Sequence, residues 1–374
     1  MFPGGNGQPM KMNFNVGPSQ NGPEVANDIR EALEQGVTII SHRSQRFYEY
    51  YAKVRREIFS YFSLPNDWRM YFLASGSEAM ESACRGLIRK RSLHFVNGNF
   101  SRRAYNFATM IGKDAQINER PEMQGFTGKP EVVPAGTDCA FFTKTETATG
   151  VATSWEYLRE FRKRNPEVTV VCDVVSVAPT EPLDSEVADF YFFGVQKACG
   201  LPAGLSVALC SPKALEKARA LRSDGMDIGA NRAITTLEEY AVKDATLDTP
   251  NVLQIYLLGK AFERFNVKGL ATVEAETIAK AEQLYNWLEK SEHYYPAVKD
   301  KTLRARTAVA VGFAEGVEEA QALKALTTAG FETGLGYGHL RGTMLRIANF
   351  PAHTLADHKE LIDALEKVNV AKTV

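Results

Sequence analysis

The chain has no apolar run approaching the ~20 residues needed to cross a bilayer, and its first residues lack the charged-then-apolar order of a secretory signal. That excludes a membrane partner. Its five cysteines (Cys84, Cys139, Cys172, Cys199, Cys210) show no CxxC spacing and sit in apolar surroundings, so they read as reduced core residues of a cytoplasmic protein rather than a disulfide frame. No HExxH occurs and the remaining histidines are scattered, which argues against a metal. No GxGxxG follows the first strand, which removes a dinucleotide-binding reading. A formal net charge of -1 leaves no basic excess for nucleic acid and no acidic tract.

What is present is an ordinary globular composition, 44% hydrophobic and 24% charged, over 374 residues, enough for one large domain and a smaller one. Residues 1–12 are Gly/Pro-rich without pattern and are expected to form a disordered leader. Residues 23–35 and 46–62 have helical spacing. A short apolar run at 70–74 breaks at Ser75-Gly76-Ser77 into a helical segment at 78–89, and similar strand-then-helix units follow at 94–111 and 139–164, with another strand at 168–172. Short, continuously apolar strands alternating with helices predict an α/β fold whose mostly parallel sheet is covered on both faces, with ligands at the strands' carboxyl ends. From about residue 255 longer helical blocks and short strands predict a smaller C-terminal α+β domain. The expected division is 13–254 and 255–374, with 13–25 able to pack on the small domain.

The most specific chemistry lies in Val171-Cys172-Asp173 and, further on, Gly194-Val195-Gln196-Lys197. An Asp ending an apolar strand can sit buried against a cationic ring nitrogen and keep it protonated. A Lys just after the next strand-like run has a desolvated amine, whose lowered pKa suits Schiff-base chemistry. Ser75-Gly76-Ser77-Glu78 lies between strand and helix, where backbone N–H groups can cradle a phosphate; a generic helix cap is the competing reading.

These segments, with Asn13-Phe14-Asn15-Val16-Gly17-Pro18-Ser19, resemble the class V aminotransferases of the fold-type-I pyridoxal-phosphate (PLP) enzymes, and within them the phosphoserine aminotransferase family. The resemblance covers nearly the whole chain after residue 12 and implies a seven-stranded-type sheet, PLP as cofactor and a transamination. It assigns Lys197 as the PLP-bearing lysine and Asp173 as the partner of the ring nitrogen. Gly76, Ser77, Glu78, Ser176 and Gln196 are implied around the cofactor, Phe100 (in Gly98-Asn99-Phe100-Ser101) stands where the family stacks a tryptophan, and Thr147 matches the threonine of an Asn-Glu-Thr loop. Asp248-Thr249-Pro250 is similar to an Asn-Thr-Pro that a neighbouring subunit contributes, with Asp248 replacing the Asn; this implies a homodimer with shared sites.

For substrate, the resemblance implies His42 and Arg43 in Ser41-His42-Arg43, and His339, Arg341 and Arg346 in the segment from Gly338. Arg346 matches the arginine that grips the substrate α-carboxylate, and Leu340 stands where the family has a phosphate-binding arginine, with Arg341 beside it. The implied exchange is phosphoserine and 2-oxoglutarate against 3-phosphohydroxypyruvate and glutamate, in serine biosynthesis. A class V transaminase of the alanine–glyoxylate or serine–glyoxylate type shares the Asp, the Lys and the Arg without a phosphate clamp and is the alternative. A cysteine desulfurase is disfavoured because every cysteine precedes residue 211.

Overall fold

Residues whose side chains are apolar on both sides of the backbone become the centre of a sheet with no solvent face. The computed structural model describes residues 10–368. Along it the strands are β1 (Met12–Phe14), β2 (Arg69–Leu73), β3 (Arg91–Val96), β4 (Asp114–Glu119), β5 (Thr137–Thr143), β6 (Thr145–Glu146), β7 (Val151–Ala152), β8 (Thr169–Asp173), β9 (Phe190–Gly194), β10 (Ser206–Cys210), β11 (Tyr294–Pro296), β12 (Ala308–Phe313), β13 (Phe331–Leu335) and β14 (Met344–Ala348). The large sheet has seven strands in the order β2-β10-β9-β8-β5-β3-β4, parallel except for β10, which runs against both neighbours. Every residue of β8, β9 and β10 is buried, the signature of strands covered by helices on both faces.

The edge strand β4, Asp-Ala-Gln-Ile-Asn-Glu, is by contrast polar and partly exposed, so no apolar run announces it. The strand at β10 and the helices Pro212–Ser223 and Ile234–Ala241 are likewise absent from the pattern read off the sequence. The helix expected at 78–89 spans Gly76–Leu87, because the Ser75 hydroxyl accepts the Glu78 N–H and starts the helix one residue after itself.

The smaller sheet runs β1-β13-β14-β12-β11, antiparallel except that β1 lies parallel to β13. The chain's opening segment therefore belongs to the sheet built from its end. Of the expected leader, residues 1–9 lie outside the described residues, while the Lys11 N–H donates to the Gly330 carbonyl and Met12 opens β1. The large core continues into the helix Val252–Lys268, whose Ile255, Leu258 and Phe262 pack with the helix Gln45–Phe62. The helix Leu270–Leu288 then joins the second core through Leu284 and Leu288.

Candidate active site

Four parallel strands of the large sheet deliver their ends to one place. Asp173 ends β8, the loop after β9 carries Gln196 and Lys197, β5 leads through β6 to Thr147, and β3 leads to Phe100. The turn after β2 adds Gly76 and Ser77, and Arg346 comes across from β14. Together with Val16, Gly17, Arg103 and Tyr337 they line a cavity of about 220 Å³.

Asp173 is buried on the floor of this cavity. Its Oδ1 accepts the Val175 N–H at 2.9 Å, and among the described residues no Lys, Arg or His stands within ion-pair distance of it. Burial pushes its carboxyl above the ordinary range, outweighing the Val175 amide and Lys197, which pull it down. The Lys197 amine donates to Thr147 Oγ1 at 2.9 Å and Ser176 Oγ at 2.8 Å. Burial holds this amine well below an ordinary lysine, with Asp173 opposing the shift. The stem of Lys197 runs along Gly17: a Cβ there would sit 2.9 Å from Lys197 Cε, and the φ of +144° independently disfavours a side chain.

Phe100 forms a wall. The Lys197 Nζ lies 5.3 Å from its ring centroid, the Arg103 guanidinium 5.0 Å, and the Tyr337 ring 5.4 Å, tilted by 45°. Phe100 is the second residue of the helix Asn99–Met110, whose N-cap Gly98 has no side chain to cap with. Glu146, wholly buried, replaces that cap: its carboxylate accepts the N–H groups of Phe100, Ser101 and Ala148 and the Ser101 hydroxyl, at 2.8–3.2 Å. A negative group at a helix start is also favoured by the helix dipole.

At the turn after β2, Gly76 and Ser77 begin a helix whose first amides have no intrahelical acceptor and line the cavity. Glu78 is not brought to the cavity. Its N–H is taken by Ser75, and its carboxylate accepts the Ala74 N–H at 2.6 Å and pairs with Arg232 at 2.7 Å. Arg346 is buried and donates from Nε to the Leu335 carbonyl (2.7 Å) and from Nη1 to that of Thr147 (3.0 Å), with its guanidinium 5.6 Å from the Tyr337 ring centroid. The two carbonyls fix the plane of the fork and leave its other donors for a ligand.

Six expected site residues, Asp248, Thr249, His42, Arg43, His339 and Arg341, lie elsewhere. Asp248 and Thr249 line an adjoining cavity of about 240 Å³; Asp248 pairs with Arg232 (2.7 Å) and accepts from Asn231 (2.8 Å). Thr249 Oγ1 lies 3.2 Å from His42 Nδ1. Burial lowers the His42 pKa, and neighbouring Arg43 lowers it further. His339 is exposed on the loop between β13 and β14, bonded to Glu122 at 2.9 Å, and Arg341 is exposed beside it. Neither lines the cavity; Tyr337 of the same loop does.

Arg103, Glu146 and Tyr337 were not singled out in the sequence. For Arg103 a signal existed, since it follows Phe100 by three residues on one helix and so shares its face. Glu146 stood as the acid of the Asn-Glu-Thr-like loop, but nothing local gave it a role, because Ser101 and Phe100 are 45 and 46 residues away.

The model of the class-V aminotransferase family matches residues 11–340. A phosphoserine aminotransferase of Rhodococcus opacus is 30% identical over 95% of this chain and 94% of its own length. The crystal structure of a phosphoserine aminotransferase from Cytophaga hutchinsonii superposes with a TM-score of 0.93 at 33% identity, covering 96% of this chain and 99% of that one. An alanine–glyoxylate aminotransferase from Nostoc sp., at 21% identity and a TM-score of 0.75, shares the fold.

Proposed function

Because the chain belongs to the class-V aminotransferase family, we propose that this PLP-dependent transaminase exchanges the amino group of phosphoserine with 2-oxoglutarate, giving 3-phosphohydroxypyruvate and glutamate in serine biosynthesis. The observation that carries the catalytic reading is the meeting of a desolvated amine, a buried carboxylate without a cation and an aromatic wall in one cavity. The residues fit pyridoxal phosphate. Asp173 is a buried acceptor lacking a cationic partner, which a protonated ring nitrogen would supply, and Phe100 offers a face to the ring. The open amides of Gly76 and Ser77 suit its phosphate, with Gln196 alongside. When bound, the cofactor supplies a conjugated ring that takes up negative charge from the substrate's Cα.

The chain's own groups do the rest. Lys197 Nζ, its pKa lowered by burial, would be the group that holds the cofactor, and the same amine would take a proton from the substrate's Cα and return it to the cofactor-bound side. Thr147 and Ser176 hold that amine in place. Arg346, with donors left free by its two carbonyl partners, would grip the α-carboxylate common to both amino-acid substrates. The substrate's phosphate needs cations beyond these. His42, Arg43 and Thr249 lie outside the lysine's own cavity, and we assign them to the site of a second copy, making the enzyme a homodimer with shared sites. His339 and Arg341, exposed on the loop that carries Tyr337, are further candidates for that phosphate.

No helix of the described residues is long and apolar enough to cross a membrane. The five buried, unpaired cysteines support the cytoplasm as compartment. The test of substrate is a half-reaction screen, following the visible absorbance of the bound cofactor as single amino acids are added. Bleaching by phosphoserine but not by serine or alanine is expected; bleaching by alanine or serine alone would transfer the chain to the glyoxylate-type alternative.

A further inference from the structure

The turn proposed for the cofactor's phosphate carries no basic residue of its own: Ser75, Gly76 and Ser77 offer amides and hydroxyls, and the acid Glu78 follows. A doubly charged anion held in a partly enclosed cavity calls for a full positive charge as well as dipoles. Two arginines are near. Arg232 is already committed, pairing with both Glu78 and Asp248 at 2.7 Å each. Arg103 is not: its Nη1 donates to Ser77 Oγ at 2.9 Å, and among the described residues no carboxylate lies within ion-pair distance of it. Its neighbour Arg102, one residue earlier, turns outward to Glu119. Arg103 instead lies along the Phe100 ring and lines the cavity, close enough to act on the charges of both Asp173 and Lys197.

We propose that Arg103 is the cation that binds the phosphate of pyridoxal phosphate at the Gly76–Ser77 turn, supplied from the helix that also presents the stacking Phe100. The assignment rests on the PLP reading above. The geometry gives it a second consequence: the residue that neutralises the phosphate is three positions from the one that covers the ring, so one helix start, capped by Glu146, sets both. A single guanidinium–anion contact of this kind changes affinity by roughly ten- to a hundredfold.

The test compares two ligands that differ only in the phosphate. The full chain, freed of cofactor by exchange, is titrated with pyridoxal phosphate and separately with pyridoxal, for the wild type, Arg103→Met and Arg103→Lys. Arg103→Met should weaken pyridoxal phosphate roughly ten- to a hundredfold while leaving pyridoxal within about twofold, and Arg103→Lys should restore most of the loss, since a lysine keeps the charge. Equal weakening of both ligands would mean that Arg103 only packs Phe100, and no change in either would mean that it faces no anion; both results overturn the assignment. A wild-type chain that binds no pyridoxal phosphate at all would overturn the function proposed above rather than this residue's part in it.

Discussion

Replacing Glu146 by Gln changes one atom in a site where every neighbour is a donor. Oε2 accepts from the Phe100 and Ser101 amides and the Ser101 hydroxyl, and Oε1 from the Phe100 and Ala148 amides. Whichever way the new amide is turned, its NH₂ meets N–H groups. With the NH₂ on the Oε1 side the Ala148 amide is orphaned, and with it on the other side the Ser101 amide is. A buried donor left unpaired costs about 1–3 kcal/mol. Removing the negative charge from the start of the helix Asn99–Met110 adds roughly 0.3–2 kcal/mol. The expected total is about 1–5 kcal/mol in the opening of this segment, equivalent to roughly tenfold to several-thousandfold. Hydrogen exchange read by mass spectrometry on peptides spanning residues 97–105 should show the Phe100 and Ser101 amides exchanging faster by that factor, with peptides from β10 unchanged. Unaltered exchange at Phe100 and Ser101 would refute the idea that Glu146 holds the stacking residue in place.

Lys197→Ala should abolish transamination and the visible absorbance of the protein-bound cofactor; an active, yellow variant would sink the assignment. Arg346→Lys keeps the charge but loses the planar fork, so kcat/KM should fall roughly tenfold or more. The fall should be similar for phosphoserine and glutamate, which share the α-carboxylate; a loss confined to one of them would place Arg346 at a side-chain subsite. Lys280 is buried among backbone carbonyls, donating to those of Phe350 and His353, and burial lowers its pKa to about 8 from an ordinary 10.5. The unfolded chain then holds more protons than the folded one between those values, so stability rises with pH across about pH 8 to 10.5. Lys280→Met should flatten that rise in the urea midpoint, and an unchanged slope would show that Lys280 titrates normally.

How much could be read without coordinates followed the range of the interactions. Asp173 and Lys197 stood out because each closes or follows a strand whose burial is written in its own residues, Thr-Val-Val-Cys-Asp and Phe-Tyr-Phe-Phe-Gly. The mostly parallel sheet was legible for the same reason, its seven strands being implied only by the resemblance, whereas β4 was not, since a polar edge strand gains its structure from its pairing with β3 and carries no apolar run. The turn at Ser75 was recognisable as a helix start, yet local pattern could not say that Glu78 faces away from it. That is decided by Arg232, 154 residues on.

The same distant pairing explains the substitution of Asp248 for an asparagine. A carboxylate at a phosphate-binding edge raises the electrostatic cost of the anion, and taken alone Asp248 argues against such a role. In the folded chain it does not stand alone: Arg232 lies between Glu78 and Asp248 and pairs with both, and Asn231 donates to the same Asp248 oxygen. Glu78 and Asp248 thus draw one guanidinium away from the turn. The positive charge that the turn itself requires must come from another element, and Arg103 is the residue placed to provide it. The acid at 248 and the uncommitted arginine at 103 are on this view two parts of one charge balance.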